Sequence, residues 1–346
     1  MKAVDLRSDT VTRPTRGMLD AMMRADVGDD VWGDDPTVNK LQDVTAKLLG
    51  KPAGLFLPSG TMANQVAIRS HTSPGDEVIL DRESHIFRYE VAAAAVVSGA
   101  QFNAIDGAGG VMTAAQVEQA IRPSDIHQPA TRLVCLENTH NRAGGTTVPL
   151  DELRKVAALC RKHKIPVHLD GARLWNASVA TGVPLREYAQ HCDSVMVCFS
   201  KGLGCPVGSV LVGSSDFIEK ARRSRKLFGG GMRQAGYLAA AGLYALKHNV
   251  GRLTQDHERA KRLAELIAAI PALDIDLAAV QTNIVIFDCA RAGMDSGTAL
   301  EKCAAQGLWL ASFGRTRLRA VTHLDVGDDG IERAGRVLRK VFASPR

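Results

Sequence analysis

The chain of 346 residues is 45% hydrophobic and 23% charged, ordinary for a globular protein and long enough for about two domains. Its longest apolar runs, from Val91 to Val97 and from Leu238 to Leu246, fall well short of the roughly 18 residues that a membrane span requires. Lys and Arg total 43 against 37 Asp and Glu, a formal charge of +6 that is scattered along the chain and suits small anionic ligands better than a polyanion.

At the N-terminus Asp5, Arg7 and Asp9 fall where a secretory signal would need an apolar run, so the chain is expected to remain in the cytoplasm. Residues 1–50 are polar and broken by Pro14, Gly28, Gly33 and Pro36, and they read as an arm with short helices. Beyond them β-rich runs alternate with helical periods. Strands are predicted at 54–57, 77–80, 101–105, 132–136, 167–170, 194–199 and 209–212, with amphipathic helices at 61–71, 113–121 and 150–162. This alternation predicts an α/β domain over residues 51–250, with a largely parallel seven-stranded sheet covered on both faces.

The basic run from Lys220 to Lys226 lacks interleaved aromatics and reads as a solvated helix face rather than a nucleic-acid surface. A helical stretch is predicted over about 233–270, stopped by Pro271. Strand 283–288, helix 295–306, strand 318–321 and helix 328–342 then compose a smaller α+β domain over residues 251–346. The seven cysteines (Cys135, Cys160, Cys192, Cys198, Cys205, Cys289 and Cys303) form no Cys-x-x-Cys pair, which fits reduced, buried thiols and no metal or disulfide framework.

Three segments carry chemistry. The buried strand 167–170 ends in Asp170-Gly171-Ala172-Arg173, and ligands of open α/β sheets bind at such strand ends. The strand at 194–199 ends in Ser200-Lys201-Gly202-Leu203-Gly204. A lysine beside glycines at the end of an apolar strand is partly desolvated, which favours the neutral amine a Schiff base needs. Lys201 and Asp170 together meet the demands of a pyridoxal-phosphate site, an amine for the aldehyde and an acid for the pyridinium nitrogen. Finally, Ser59-Gly60-Thr61 joins a strand to a helix, where free N–H groups and the helix dipole favour a phosphate. His85, just past the strand at 77–80, is placed to stack on the cofactor ring and to move protons.

The chain resembles the low-specificity L-threonine aldolases of the aromatic amino acid β-eliminating lyase/threonine aldolase family. The likeness rests on Asp5-Leu6-Arg7-Ser8-Asp9-Thr10-Val11-Thr12, Gly28-Asp29-Asp30, Gly33-Asp34-Asp35-Pro36, Ser59-Gly60-Thr61 and Glu137-Asn138-Thr139-His140-Asn141. It continues through Asp170-Gly171-Ala172-Arg173, Ser200-Lys201-Gly202-Leu203-Gly204, Gly229-Gly230-Gly231-Met232-Arg233-Gln234 and Thr322-His323-Leu324-Asp325.

The resemblance implies the type I fold of pyridoxal-phosphate enzymes and retro-aldol cleavage of L-threonine and L-allo-threonine to glycine and an aldehyde. It implies that Lys201 carries pyridoxal 5'-phosphate, that Asp170 pairs with the ring nitrogen, that His85 stacks on the ring, that Gly60 and Thr61 hold the phosphate, and that Ser59, Arg173, Ser200, Lys226 and Arg233 also bind the cofactor. Ser8, Arg173 and Arg319 would bind the substrate carboxylate, with Tyr89 and His127 near its side chain; the base is expected to be His85, or a water held by His85 and His127. It further implies a homotetramer built from dimers that share active sites, with Lys226 and Arg233 reaching across from a neighbour. Trp32 stands where the family often has tyrosine. Other type I activities, a β-eliminating lyase, a transaminase or a serine hydroxymethyltransferase-like enzyme, remain open. A nicotinamide-dependent dehydrogenase is disfavoured, because neither Ser59-Gly60-Thr61 nor Gly202-Leu203-Gly204 completes a Gly-x-Gly-x-x-Gly turn.

Overall fold

A computed structural model describes residues 3–343. Its strands are β1 (Val4–Asp5), β2 (Ala53–Leu57), β3 (Glu77–Asp81), β4 (Gln101–Ile105), β5 (Thr131–Glu137), β6 (Val167–Gly171), β7 (Ser194–Cys198), β8 (Ser209–Gly213), β9 (Ile284–Asp288), β10 (Leu308–Trp309), β11 (Ala311–Ser312) and β12 (Arg317–Val321). The large sheet has the order β2-β8-β7-β6-β5-β3-β4. β8 runs antiparallel to both of its neighbours, and the remaining pairings are parallel. β3, β6, β7 and β8 are buried along their whole length, as expected of strands covered on both faces. All seven strands of this sheet coincide with the predicted runs to within a residue or so.

The helices begin where side chains satisfy the first free N–H groups. Asp35 accepts from the amides of Thr37 and Val38 ahead of the helix Pro36–Leu48, and Ser59 accepts from Met62 ahead of the helix Gly60–His71. Thr113 and Gln116 form a reciprocal capping box.

The predicted helical stretch over 233–270 is two helices, Gly236–His248 and Leu253–Ala268. The interruption arises at Asn249, whose side chain turns inward to donate to the Leu203 carbonyl at 2.7 Å, and at the following Gly251. The short strands β10 and β11 carry no periodicity that a sequence reading could detect. β10 exists because β1 pairs with it in parallel, Val4 opposite Leu308, while β11 joins β12 and β9 in a three-stranded antiparallel sheet.

Two hydrophobic cores result. One packs the large sheet against helices that include Met18, Val38, Leu41 and Leu49 from the first fifty residues. The other packs β9, β10 and β12 against the helices Leu253–Ala268, Ser296–Ala305 and Asp328–Val341, and it takes in Val4 and Leu6. The first fifty residues thus serve both cores. Among the described residues no helix is long and apolar enough to cross a membrane. The cysteines are all buried and unpaired.

Gly60 shows how tightly the helix Gly60–His71 seats on the sheet. A Cβ there would lie 2.8 Å from Cys198 Sγ and 2.9 Å from Met196 Cε, both on β7. Gly60→Ala is therefore expected to destabilise the chain by about 1–3 kcal/mol through overpacking, measured by urea denaturation. A midpoint at or above that of the unaltered chain would contradict this packing.

Candidate active site

Because β3, β5, β6 and β7 are mutually parallel, their C-terminal ends open on one edge of the sheet. Asp170 stands at the end of β6, and Lys201 follows β7, the adjacent strand. The loop that carries Lys201 is pinned from several directions. Thr12 Oγ1 donates to its carbonyl at 3.1 Å, the Gly204 amide donates to the same oxygen at 2.8 Å, and Asn249 holds the Leu203 carbonyl. Gly204 adopts φ +79°, and a side chain there would collide with Leu324.

A cleft of about 270 Å³ lies over this edge, lined by Ser8, Thr10, His85, Tyr89, Asn141, Arg173, Lys201, Ser312, Phe313 and Arg319. Elements distant in sequence meet here. Ser8 comes from the N-terminal segment, His85 from the short helix His85–Arg88 after β3, Arg173 from the turn after β6, and Arg319 from β12 of the small sheet.

The two arginines are held differently. Arg173 is buried and forms a bidentate pair with buried Asp9, Nε at 2.8 Å and Nη2 at 2.7 Å, and Asn283 also donates to Asp9. Burial opposes the charge on Asp9, but the Arg173 guanidinium outweighs it and lowers the carboxyl pKa well below its usual range. Arg319 donates to Asn141 Oδ1 and to the Arg7 carbonyl and lies over the Phe313 ring, yet its buried Nε has no partner. Burial, with the neighbouring Arg173 charge, pulls the Arg319 pKa down to about 10. Two desolvated guanidinium groups that repel each other, one with a spare donor, are the setting an anion would complete.

His85 is also over-determined. Its backbone N–H donates to Glu137 Oε2 at 2.6 Å, and its ring Nδ1 lies 2.8 Å from Glu90 Oε1. Burial disfavours the imidazolium, but the Glu90 hydrogen bond and the charge of Asp170 prevail and raise the pKa above the ordinary imidazole value. Because a carboxylate can only accept, Nδ1 must donate, which leaves Nε2 as the basic nitrogen. Ligand atoms of His85, Glu90 and Asp170 all lie within 4.8 Å of one another. Asn64 Nδ2 bridges the two carboxylates, donating to Glu90 Oε1 and to Asp170 Oδ2 at 2.8 Å each. Directly after Glu90, Val91 and Ala92 both take φ +54°, a conformation costly for side-chain-bearing residues and concentrated near functional sites.

Of the residues expected at the site, Ser8, His85, Tyr89, Arg173, Lys201 and Arg319 line the cleft, and Asp170 stands beneath it among the buried carboxylates. Ser59, Gly60 and Thr61 do not line it. They follow β2, which runs parallel to β7 across the shared neighbour β8, and so emerge at the same edge of the sheet. Ser200, half-buried beside Lys201, also stays outside the lining. His127 does not reach the cleft within its own chain. Its ring is 81% exposed on a loop and held by Asp125 at 2.8 Å. Lys226 and Arg233 are exposed, Arg233 pairing with Asp29. The basic run is not purely a solvated face, since Arg225 is buried and donates to the Phe56 carbonyl.

Sequence reasoning gave no role to Asp9, Asn64, Glu90 or Phe313. Asp9 lay inside a quoted motif, whereas the other three acquire meaning only through contacts across the sheet or between the two cores.

A mainly parallel seven-stranded sheet, with lysine and aspartate at adjacent strand ends and a small antiparallel sheet set against that edge, is the type I fold of pyridoxal-phosphate-dependent enzymes. Within that class the chain belongs to the beta-eliminating lyase family, whose model matches residues 5–290. It is 48% identical over 325 residues to the low specificity L-threonine aldolase of Escherichia coli (strain K12), covering 93% of this chain and 94% of that protein. It is 44% identical over 328 residues to the low-specificity L-threonine aldolase 1 of Arabidopsis thaliana, covering 93% and 92%. In structure it is similar to the threonine aldolase of Leishmania major, with a TM-score of 0.83 at 21% identity over 97% of this chain and 99% of that one.

Two outcomes follow from this geometry. Removing the carboxylate in Glu90→Gln should lower the His85 pKa, read from the imidazole shifts in an NMR titration; an unmoved midpoint would dissociate Glu90 from the ring. Asp9→Ala strands a buried guanidinium and should cost on the order of 3–5 kcal/mol near neutral pH. Because the folded pKa of Asp9 is depressed, its contribution is present above the unfolded value and fades as pH falls toward the folded one. The gap between Asp9→Ala and the unaltered chain should therefore shrink in acid, as denaturation midpoints across pH would reveal.

Proposed function

We propose that this chain is a low-specificity L-threonine aldolase that cleaves L-threonine and L-allo-threonine to glycine and acetaldehyde, with pyridoxal 5'-phosphate held on Lys201. The observation that carries the reading is the convergence of Lys201, His85, Arg173 and Arg319 on one cleft above buried Asp170. The residues fit that cofactor. The unpartnered Arg319 Nε and the crowded guanidinium pair call for an anion, and Asp170, held by Asn64 and by the Ala172 amide, can hold a proton on a pyridine nitrogen. Ser59, Gly60, Thr61 and Ser200 are assigned to the phosphate, which the helix Gly60–His71 would meet with its N-terminal amides. When bound, the cofactor supplies the electron sink that accepts the electron pair of the broken Cα–Cβ bond.

The chain's own groups decide which bond breaks and where the proton goes. Arg173 and Arg319, with Ser8, hold the substrate carboxylate, and a planar fork fixes that end of the amino acid more firmly than a point charge would. Fixing the carboxylate orients the Cα–Cβ bond against the plane of the conjugated system. His85 is the imidazole that lines the cleft, and it is assigned the base: Glu90 secures Nδ1, and Nε2 takes the β-hydroxyl proton as the aldehyde departs. Tyr89, whose hydroxyl accepts from Arg142 at 2.9 Å, borders the substrate side chain.

Assembly as a tetramer built from dimers is supported by exposed Trp32, Leu227 and Tyr237, the last two close to Lys226 and Arg233 along the chain. In this reading those two cations serve a neighbour's site, and the enzyme works in the cytoplasm.

Incubating the purified protein with L-threonine, L-allo-threonine, D-threonine and L-phenylserine should release glycine and aldehyde from the L substrates and no keto acid. A keto acid product would point to another type I activity. Lys201→Ala should lose both the visible cofactor absorbance and glycine formation, and retention of either would place the anchor elsewhere. His85→Asn should lower kcat by on the order of 10²-fold or more while cofactor binding changes far less.

A further inference from the structure

Asn64, which bridges Glu90 and Asp170, is itself the inner end of a longer buried chain. His168 Nε2 lies 3.1 Å from Asn64 Oδ1, His168 Nδ1 lies 2.9 Å from Ser194 Oγ, and Ser194 Oγ lies 2.8 Å from His71 Nε2. His168 and Ser194 are fully buried on the adjacent strands β6 and β7, directly opposite each other in the register. His71 ends the helix Gly60–His71, where its ring stacks on Phe217 at 4.5 Å beside a cavity of about 700 Å³. The network therefore passes from that cavity through the sheet to the catalytic edge.

Donor and acceptor chemistry fixes the order of the protons. Two carboxylates can only accept, so Asn64 must turn its NH₂ toward Glu90 and Asp170 and its Oδ1 toward His168. Burial, reinforced by the nearby His71, lowers the His168 pKa to about 3, so the ring is neutral and has one N–H to give. Nε2 must hold that proton to satisfy Asn64. Nδ1 must then accept from the Ser194 hydroxyl, and Ser194 must accept from His71 Nε2–H. Only one arrangement leaves no acceptor facing an acceptor, and in it every N–H and O–H points toward the carboxylate pair.

We propose that His168 is a positioning residue for the reaction: its Nε2–H locks the Asn64 carboxamide, and that lock keeps the Asn64 NH₂ donating to Asp170 and Glu90 at once. The inference rests on the functional reading above, in which Asp170 serves the cofactor nitrogen and Glu90 orients His85. Without the His168 donor the carboxamide is free to rotate, and its oxygen would face a carboxylate. Asp170 would then lose a donor to its Oδ2, and Glu90 one of the donors to its Oε1. The consequence falls on the hold over the cofactor nitrogen and on the orientation of His85, while the carboxylate clamp of Arg173 and Arg319 stays intact.

The test begins with nitrogen-15 NMR of histidine-labelled unaltered protein, which must find His168 protonated at Nε2 and bare at Nδ1; the opposite tautomer overturns the proposal. Next, the cofactor-loaded His168→Phe protein should show a shifted visible absorbance, bind pyridoxal 5'-phosphate on the order of tenfold more weakly, and lose on the order of tenfold in kcat, with KM for L-threonine little changed. His168→Gln, which can both donate to Asn64 and accept from Ser194, should restore most of the loss. A folded His168→Phe protein with unaltered spectrum, cofactor affinity and kcat also overturns it. Should that variant fail to fold, Ser194→Ala decides instead, because it removes the hydroxyl that donates to Nδ1 and so supports the Nε2–H tautomer. It should shift the His168 nitrogen resonances and move the absorbance in the same direction, and no change in either overturns the proposal. If the unaltered protein takes up no cofactor, the functional reading fails on its own, and the tautomer measurement still decides the order of the chain.

Discussion

Glu90 and Asp170 are buried carboxylates with oxygens close enough to repel strongly in a medium of low polarity, and the rest of the site is organised around keeping both of them there. A charge that leaves water must be met by donors in place beforehand. Asn64, Gln65 and His85 meet Glu90, while Asn64 and the Ala172 amide meet Asp170. Asn64, Gln65 and the Ala172 amide are neutral donors, so both carboxylates stay available to act on neighbours: Asp170 on a ring nitrogen, Glu90 on His85. The strained Val91 and Ala92 directly after Glu90 belong to the same constraint.

The cationic side of the cleft follows a complementary logic. Arg173 is neutralised from behind by Asp9, which engages its Nε and Nη2, so its position does not depend on ligand. Arg319 is tied only to a side-chain amide oxygen and a main-chain carbonyl, and it is the guanidinium whose charge burial opposes most clearly. One arginine is thus fixed and the other is poised. Because Arg319 belongs to β12 and packs over Phe313 beside β11, an anion held there and by Arg173 would bridge the small sheet and the catalytic edge of the large one. Asp9 reinforces this junction, since Asn283 just before β9 donates to it as well.

Much of this was legible in order along the chain. The large sheet was readable because strands buried on both faces are short apolar runs between turn residues, a local pattern that needs no knowledge of pairing. Lys201, Asp170 and Arg173 were readable because each follows such a run. The division of the predicted 233–270 helix was not legible, because the break depends on Asn249 finding the Leu203 carbonyl some forty-six residues earlier. Gly60 was read as room for an anion, and its packing against Cys198 and Met196 adds a second reason for glycine there. His85 was singled out by its place after a strand, and His127 entered only through the resemblance. Three-dimensional placement separated them, one ring held by Glu90 at the cleft and the other by Asp125 in solvent.

By itself the sequence determined the alternation of strands and helices, the strand-end lysine and aspartate, and the arginines available for a carboxylate, because all of these are set by periodicity and by what immediately follows a strand. Only the tertiary structure decided that Asn64, Glu90 and His168 belong to the site, that Asp9 backs Arg173, and which nitrogen of His85 is basic. The physical reason is that hydrogen-bond direction and charge compensation depend on separations of a few ångströms between groups far apart in the chain, and no local pattern encodes those separations.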